Sequence, residues 1–429
     1  MPLPVNTVDH ATAHARRRLV PFLLLMYVVS FLDRANIGFA KQALQASVGI
    51  SDTAYAVGAG LFFLTYALFE IPSNLILHRV GARIWMCRIM VSWGLLSMAT
   101  MFVRGSASFY VLRLLLGVAE AGFFPGVILY LGYWFPNASK GRILGLFYFG
   151  APLAFIVGGP VSGLLLDLPA GAWLRGWQWM FLVEGLAAVA VGIWAYRYLD
   201  DKPQDARWLT STEKDALFEV LSREEQERRQ HGSAAFSAAL ADGRVWHCVL
   251  IYFLIQMSVY GVVFYLPAEV AAILGRSIGV EVGLVSALPW VCALVVTYGI
   301  SRAADHHHNH RSLAVLTLVA SGAASFLFPT SGPVTALLAL CCAASGFIAV
   351  QPLFWTFPSG YLAGSAAAGG IALINALGVL GGFVAPTAKA WADTHFASNR
   401  AGLYLLATFT LINAGVMALL RSGRAVAST

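Results

Sequence analysis

Apolar residues fill the chain in long windows, broken by short polar interruptions. Windows of the length that crosses a hydrocarbon core lie near 19–41, 54–77, 84–103, 107–135, 142–166 and 177–199. A second set lies near 245–268, 282–301, 312–329, 334–357, 366–388 and 401–420. Each reads as a helix, because backbone polar groups inside a bilayer must be satisfied within their own segment. Between the sets runs "DDKPQDARWLTSTEKDALFEVLSREEQERRQHGS" (200–233), the one long polar stretch. The pattern predicts an all-α membrane protein with twelve transmembrane helices in two pseudo-symmetric six-helix bundles. Its organisation is a tail over 1–18, a first bundle over 19–199, a linker over 200–244, a second bundle over 245–420 and a tail over 421–429.

Charge supports this segmentation. Of the 28 Lys and Arg residues, 20 fall on the side that holds both termini and the linker, 6 on the other side and 2 within windows. Cytoplasmic loops carry the excess of Lys and Arg, so both termini and the linker are expected in the cytoplasm and the protein in the inner (plasma) membrane. The N-terminal "MPLPVNTVDHATAHARRR" has no apolar core, so it does not read as a cleavable signal and the first window is retained. With 59% hydrophobic and 11% charged residues, the chain is neither disordered nor an ordinary soluble enzyme. The net charge of +7 follows the loop bias, so the lipid bilayer, and no nucleic acid, is the expected partner. A single chain is expected to suffice as a monomer. The five cysteines form no CxxC pair, and "DHHHNH" (305–310) reads as a solvated basic loop. No metal or cofactor is expected.

The halves also repeat one another. A short basic connection, "NLILHRVGAR" (74–83), follows the second window, and "GISRAADHHHNHR" (299–311) follows the eighth. Repeated halves with a site between them are a transporter signature. No nucleophile–base set or cofactor motif appears in the windows, so an enzyme is not expected.

Four stretches carry a closer likeness: "YVVSFLDRANIGFA" (27–40), "YALFEIPSNLILHRVGAR" (66–83), "YVLRLLLGVAEAGFFPGVILYLGYWFP" (110–136) and "GWQWMFLVEG" (176–185). With the linker phrase "KPQDARWLTSTEK" (202–214), they resemble the major facilitator superfamily, and within it the anion:cation symporter group. The resemblance spans nearly the whole chain. It implies the superfamily's fold and proton-coupled uptake of a small organic anion such as tartrate, a sugar acid or an aromatic carboxylate. An exporter or exchanger of the same fold is the alternative, followed by a membrane nutrient sensor. One departure is His78, where the superfamily usually has Asp in the loop after the second helix.

Only four acids lie well inside the windows, Asp33, Glu70, Glu120 and Glu184, all in the first half. The second half has no Asp, Glu, Lys or Arg away from helix ends. Intramembrane ionisable groups are functional candidates by default. Asp33 and Glu120 sit at similar depth, and Arg113 lies seven residues before Glu120, on the same helix face and about 10 Å away in rise. A carboxylate held between desolvation and a neighbouring Arg can change protonation as water access changes. These three residues are therefore the proton-coupling candidates, with H+ as the coupling ion, and the resemblance implies the same for the two acids. Arg34 points about 100° away from Asp33, and its planar fork suits a carboxylate; it is the expected anion partner. Gln256 and Tyr260 are four apart and share a face. The resemblance adds Tyr66, Trp355 and Asn375 as substrate positions. Glu70 and Glu184 are expected to fix helices.

Overall fold

The computed structural model describes residues 5–169, 173–230, 241–307, 309–328, 332–361 and 364–420. The tail 421–429, linker residues 231–240 and His308 of the basic loop lie outside the described residues. Among the described residues, twelve helices are long and apolar enough to cross a membrane. The first six are Thr7–Val48, Asp52–Val80, Ala82–Phe102, Ser106–Trp134, Asn137–Leu166 and Gly176–Tyr198. The second six are Gly243–Leu274, Val280–His307, His310–Leu327, Pro333–Pro358, Gly370–His395 and Ala401–Ala418. Each expected window overlaps one of these spans, and no strand occurs among the described residues. We call the membrane side that carries the linker the linker side, and the other the far side.

The N-terminal region departs from expectation. The first helix runs over Val5–Val48, 44 residues, or about 66 Å, so most of the expected tail is helical. Hydropathy is silent there, yet Ala11, Ala15 and Leu19 are fully buried. What buries them is the linker, whose helix Ser211–Gln230 packs along the first helix with Leu209, Ala216 and Leu217 buried. Thr210 and Glu213 form a capping box: the Thr210 N–H donates to Glu213 Oε2 at 2.9 Å, and the Glu213 N–H donates to Thr210 Oγ1 at 3.3 Å. His10 and His14 place their Nδ1 atoms 3.0 and 3.4 Å from Glu213 Oε1. Trp208 donates to Asp200 at 2.8 Å and stacks on Trp134 of the fourth span. Glu224 accepts from the Asn137 N–H at 2.9 Å. The stretch expected as a solvated linker is thus docked on the first half as far as Gln230.

Glu213 makes this docking pH-dependent. Burial pushes its carboxyl up, but the Thr210 N–H, His10, the Thr210 hydroxyl and His14 outweigh it and hold the group down at about 2. A depressed acid stabilises the fold above its ordinary value of 4.5 and loses that contribution as pH falls through about 2. Amide exchange over residues 211–217 should therefore accelerate across that window. Glu213→Gln should accelerate it already at neutral pH; protection equal to that of the parent would reject the assignment.

The fourth span is not continuous. Helix Ser106–Glu120 stops, Ala121 turns to an extended conformation, and helix Phe123–Trp134 restarts after Gly122. Gly122 has φ 85°, and a Cβ there would collide with the Ser73 side chain of the second span. Both reasons require glycine, and Glu120 is left as the last residue before the break.

On the far side the halves are pressed together. The fifth and eighth spans meet backbone to backbone at Gly159 and Gly283 and at Gly163 and Gly279, with no room for a Cβ. Asp167 ties the seam by accepting from the Val280 N–H at 2.7 Å. Glycine seams allow this approach because lipid gives helices no hydrophobic drive and close packing must supply the attraction. Gly283→Val should hold the far side open. Ser286, one turn along and 2% exposed, should as Ser286→Cys become reactive to far-side reagents in that background; an unreactive thiol would show that the seam still closes.

Near the far end, the second half corrects one sequence expectation. The eleventh span extends to His395, which places Lys389 inside it, 6% exposed and 2.7 Å from Asp393. Its ammonium lies 4.4 Å from the Tyr265 ring centroid, and Lys41 of the first half lies 5.1 Å from the same centroid.

Candidate functional site

A cavity of about 510 Å³ lies between the halves, within the size range of small-molecule sites. Arg302 and Asp305, near the linker-side end of the eighth span, line its mouth, so it opens to the linker side while the glycine seam closes the far side. The first half contributes an aromatic wall that includes Tyr27, Phe31, Phe124, Tyr148 and Phe155. The second half contributes amide and hydroxyl groups: Gln256, Thr297, Ser301, Gln351 and Asn375.

Arg34 is the cation in the depth of this cavity and is 7% exposed. Its Nε and Nη2 both donate to a single oxygen, Glu120 Oε1, at 2.8 and 2.6 Å. Its Nη1 donates to the Tyr260 hydroxyl of the second half at 3.0 Å. The rings of Phe31 and Tyr66 lie 5.0 Å from the guanidinium carbon, where their π faces favour a cation. Ser30 also donates to Glu120 Oε1, at 2.9 Å, which leaves Glu120 Oε2 buried without a partner.

Asp33 faces away from the cavity, into the first bundle. It accepts from Ser97 of the third span, and from Asn36 at 3.2 Å. Its Oδ2 also lacks a partner, as do Glu70 Oε2 and Glu184 Oε2. Asp33, Glu70, Glu120 and Glu184 each hydrogen-bond through one oxygen and leave the other without a partner. A bare oxygen is costly on a buried carboxylate and far less so on a neutral carboxyl.

Arg113 makes no hydrogen bond to Glu120, in keeping with the rise of about 10 Å between them. Arg113 donates instead to the carbonyls of Gly58 and Ala59, both at 3.3 Å, and lies over Phe62. The rise between the two residues is too long for contact, and the crossing of the first span brings Arg34 to Glu120 first. Arg113 still acts on Asp33 and Glu120 electrostatically.

Tyr66, Gln256, Tyr260 and Asn375 all line the cavity, as does Arg34. Asn375 is engaged, donating to Glu70 Oε1 at 2.8 Å. Glu70 thus joins the second span to the eleventh, across the halves. Trp355 departs from expectation. It shares the helix face of Ile348, Gln351 and Pro352 but is not among the residues that line the cavity, because Tyr252 of the seventh span packs edge-on against it, 4.9 Å between centroids, and lines the cavity in its place.

Residues 23–386 match the model of the Major Facilitator Superfamily. The chain belongs to the major facilitator superfamily. It is 46% identical to the inner membrane transport protein RhmT of Escherichia coli, over 98% of each chain. It is 41% identical to a protein of Agrobacterium vitis named as a tartrate transporter, over 92% of this chain and 88% of that one. Its fold superposes on the inward-open xylose transporter XylE of E. coli with a TM-score of 0.76 at 15% identity, covering 96% of this chain and 98% of that one. It is therefore a multi-pass membrane transporter by family.

In this superfamily member the eighth span holds the site residues that sequence reasoning passed over. Thr297, Ser301 and Asp305 recur every four residues and all line the cavity. Their spacing within an apolar run was the available signal. The hydroxyl of Thr297 is buried without a partner. His78, which replaces the usual acid, lies 2.8 Å from the Tyr133 hydroxyl. The acid at that corner comes from the linker, where Asp201 accepts from the Arg83 N–H at 2.8 Å.

Proposed function

We propose that the protein imports a small organic anion with protons, the anion's carboxylate taking the Arg34 fork. The observation that carries this reading is that Arg34 gives two donors to one oxygen of Glu120 and lines the cavity. Glu120 and a substrate carboxylate are then rivals for one guanidinium. A proton on Glu120 weakens its grip and releases Arg34 to the anion; loss of that proton returns Arg34 to Glu120 and expels the anion. Rocking of the halves between the two events moves anion and proton together. Asp33 is the second proton site, and Arg113 biases both acids electrostatically. Tyr66, Tyr260, Gln256 and Asn375 surround the anion, with Thr297, Ser301 and Gln351 available for its hydroxyls. Trp355 acts through Tyr252 at most.

Moving an anion against a negative-inside potential costs about 2.3 kcal/mol per charge per 100 mV, which two protons per monoanion would more than offset. In this reading the protein is a monomer without a cofactor. It sits in the inner membrane with its termini and linker in the cytoplasm. Support for a hydroxylated acid comes from the polar wall of the cavity and from the relative named for tartrate. The aromatic wall favours a second reading, an aromatic carboxylate moved in either direction.

The test uses right-side-out vesicles with tartrate, gluconate or phthalate and an imposed pH gradient. Accumulation driven by an acid exterior is the expected result. Accumulation driven by an acid interior would replace import with exchange, and indifference to the gradient would reject proton coupling. In intact cells Asp215→Cys, on the exposed face of the linker helix, should resist external thiol reagents; labelling would invert the orientation.

A further inference from the structure

Glu184 is a buried carboxyl that this cycle leaves without a task. It lies on the sixth span and is 4% exposed. Ser162 of the fifth span donates to its Oε1 at 2.8 Å, and its Oε2 has no partner. Asn36 of the first span stands between Glu184 and Asp33: its amide donates to Asp33 Oδ1 and also interacts with the Glu184 carboxylate. Asp33 is the charged group that acts on Glu184, and Asp33 in turn feels Glu120 and Arg113. The third span, which packs against the sixth, presents Ser97 to Asp33 and carries no charge into this cluster.

The four side chains form a line that steps inward from the far side. The far ends of the first, fifth and sixth spans are level: Arg175 donates to the Ser47 carbonyl, and Gly176 abuts the Leu166 carbonyl. From those ends Ser162 is four residues deep, about 6 Å. Glu184 is eight residues deep, about 12 Å. Asp33 is fifteen residues deep, about 22 Å. Asp33 is not among the residues that line the central cavity, and its carboxyl faces Ser97 and Asn36 inside the first bundle. Ser162 lies between Gly159 and Gly163, the two fifth-span residues of the far-side seam, and is fully buried while the seam is closed.

We propose that Glu184 is the carrier's proton-entry carboxyl, taking a proton from far-side water beside Ser162 when the glycine seam parts and handing it to Asp33. The step balances as one proton. Glu184 becomes neutral on taking it and returns to carboxylate as Asp33 becomes neutral, with one O–H bond broken and one formed. Asn36, at a depth between the two carboxyls, donates to Asp33 and carries no proton itself. With the seam closed the line has no access to far-side water, so it delivers protons in one conformation alone. The assignment rests on the proton-symport reading and adds to it a route that the central cavity does not provide.

The test compares two assays of tartrate in right-side-out vesicles. Net uptake driven by an acid exterior requires fresh protons in every cycle; counterflow at equal pH lets the loaded carrier shuttle without releasing them. Glu184→Gln should slow net uptake by about 10-fold or more, the low end of what a positioned proton-transfer group contributes, and leave counterflow unchanged. The deficit should shrink as the external pH is lowered, and Glu184→Asp should restore net uptake. Equal loss in both assays would make Glu184 structural and overturn the proposal, as would normal net uptake. If Glu184→Gln fails to reach the membrane, Ser162→Ala must show the same split, and its absence has the same force. A parent protein that ignores the pH gradient would overturn the symport reading itself, and the entry route with it.

Discussion

Arg34→Lys is expected to weaken anion binding by about 10- to 150-fold, the equivalent of losing about 1.5–3 kcal/mol in hydrogen bonds to a charged group. Lysine keeps the charge but not the planar fork. In the wild type that fork spreads three donors over two acceptors, Glu120 Oε1 and the Tyr260 hydroxyl. An ammonium can reach Glu120 or the substrate, but it cannot reproduce that geometry for either. The measurement is tartrate affinity of the purified variant at fixed pH, with Asp33→Asn as the comparison, since Asp33 makes no contact with Arg34. If Arg34 serves only as counter-ion to Glu120, the lysine variant should bind tartrate as the parent does, and the clamp would be rejected.

Glu120→Gln should uncouple the carrier. Glutamine has nearly the shape of a protonated Glu120 and cannot ionise, so the variant is fixed in the state that leaves Arg34 to the anion. Tartrate affinity should lose its dependence on pH and counterflow should persist. Accumulation should fall by about 10-fold for each pH unit of gradient, because each proton no longer carried forfeits about 1.4 kcal/mol per unit. Asp33→Asn should show a similar loss of accumulation. The risk to the Glu120 variant is stability: removing one member of a buried ion pair typically costs about 3–5 kcal/mol. Its melting temperature should therefore be measured beside its transport, and a folded variant that still accumulates tartrate as the parent does would remove Glu120 from the coupling scheme.

The spans were legible because a bilayer imposes a length and an apolar character that no other environment demands. The start of the first helix was not. "VNTVDHATAHARRR" is polar, and the residues that bury it lie some two hundred positions away at Leu209–Leu217. The ionisable residues of the site were legible as charges where charges are expensive. Their partners were not, since partner choice depends on helix crossings. Arg113 shares a helix with Glu120 and still loses it to Arg34, and Glu70 finds Asn375 across 305 residues. The break in the fourth span could have been found: "AGFFPG" (121–126) puts two glycines and a proline within six residues of an otherwise helical run. Trp355 has the spacing of a cavity residue, i+3, i+4 and i+7 from Pro352, Gln351 and Ile348, and its separation from the cavity by Tyr252 depends on a different helix, which its own spacing does not reveal.

The docking of the linker on the first half changes what joins the two halves during transport. The polar stretch from Asp200 to Gly243 looks like a slack cord of more than forty residues. Its first part is anchored, through Asp200, Trp208, Glu213 and Glu224, to the half it follows. Eleven residues separate Gln230 at the end of that anchored helix from Asp242 at the start of the second half, a length of chain that can span at most about 40 Å. A tether that short keeps the halves at a high effective concentration for one another. It limits how far they can part on the linker side, whatever occupies the cavity. Residues added before Gln230 would leave that reach unchanged, whereas the same number added after it would lengthen the tether directly.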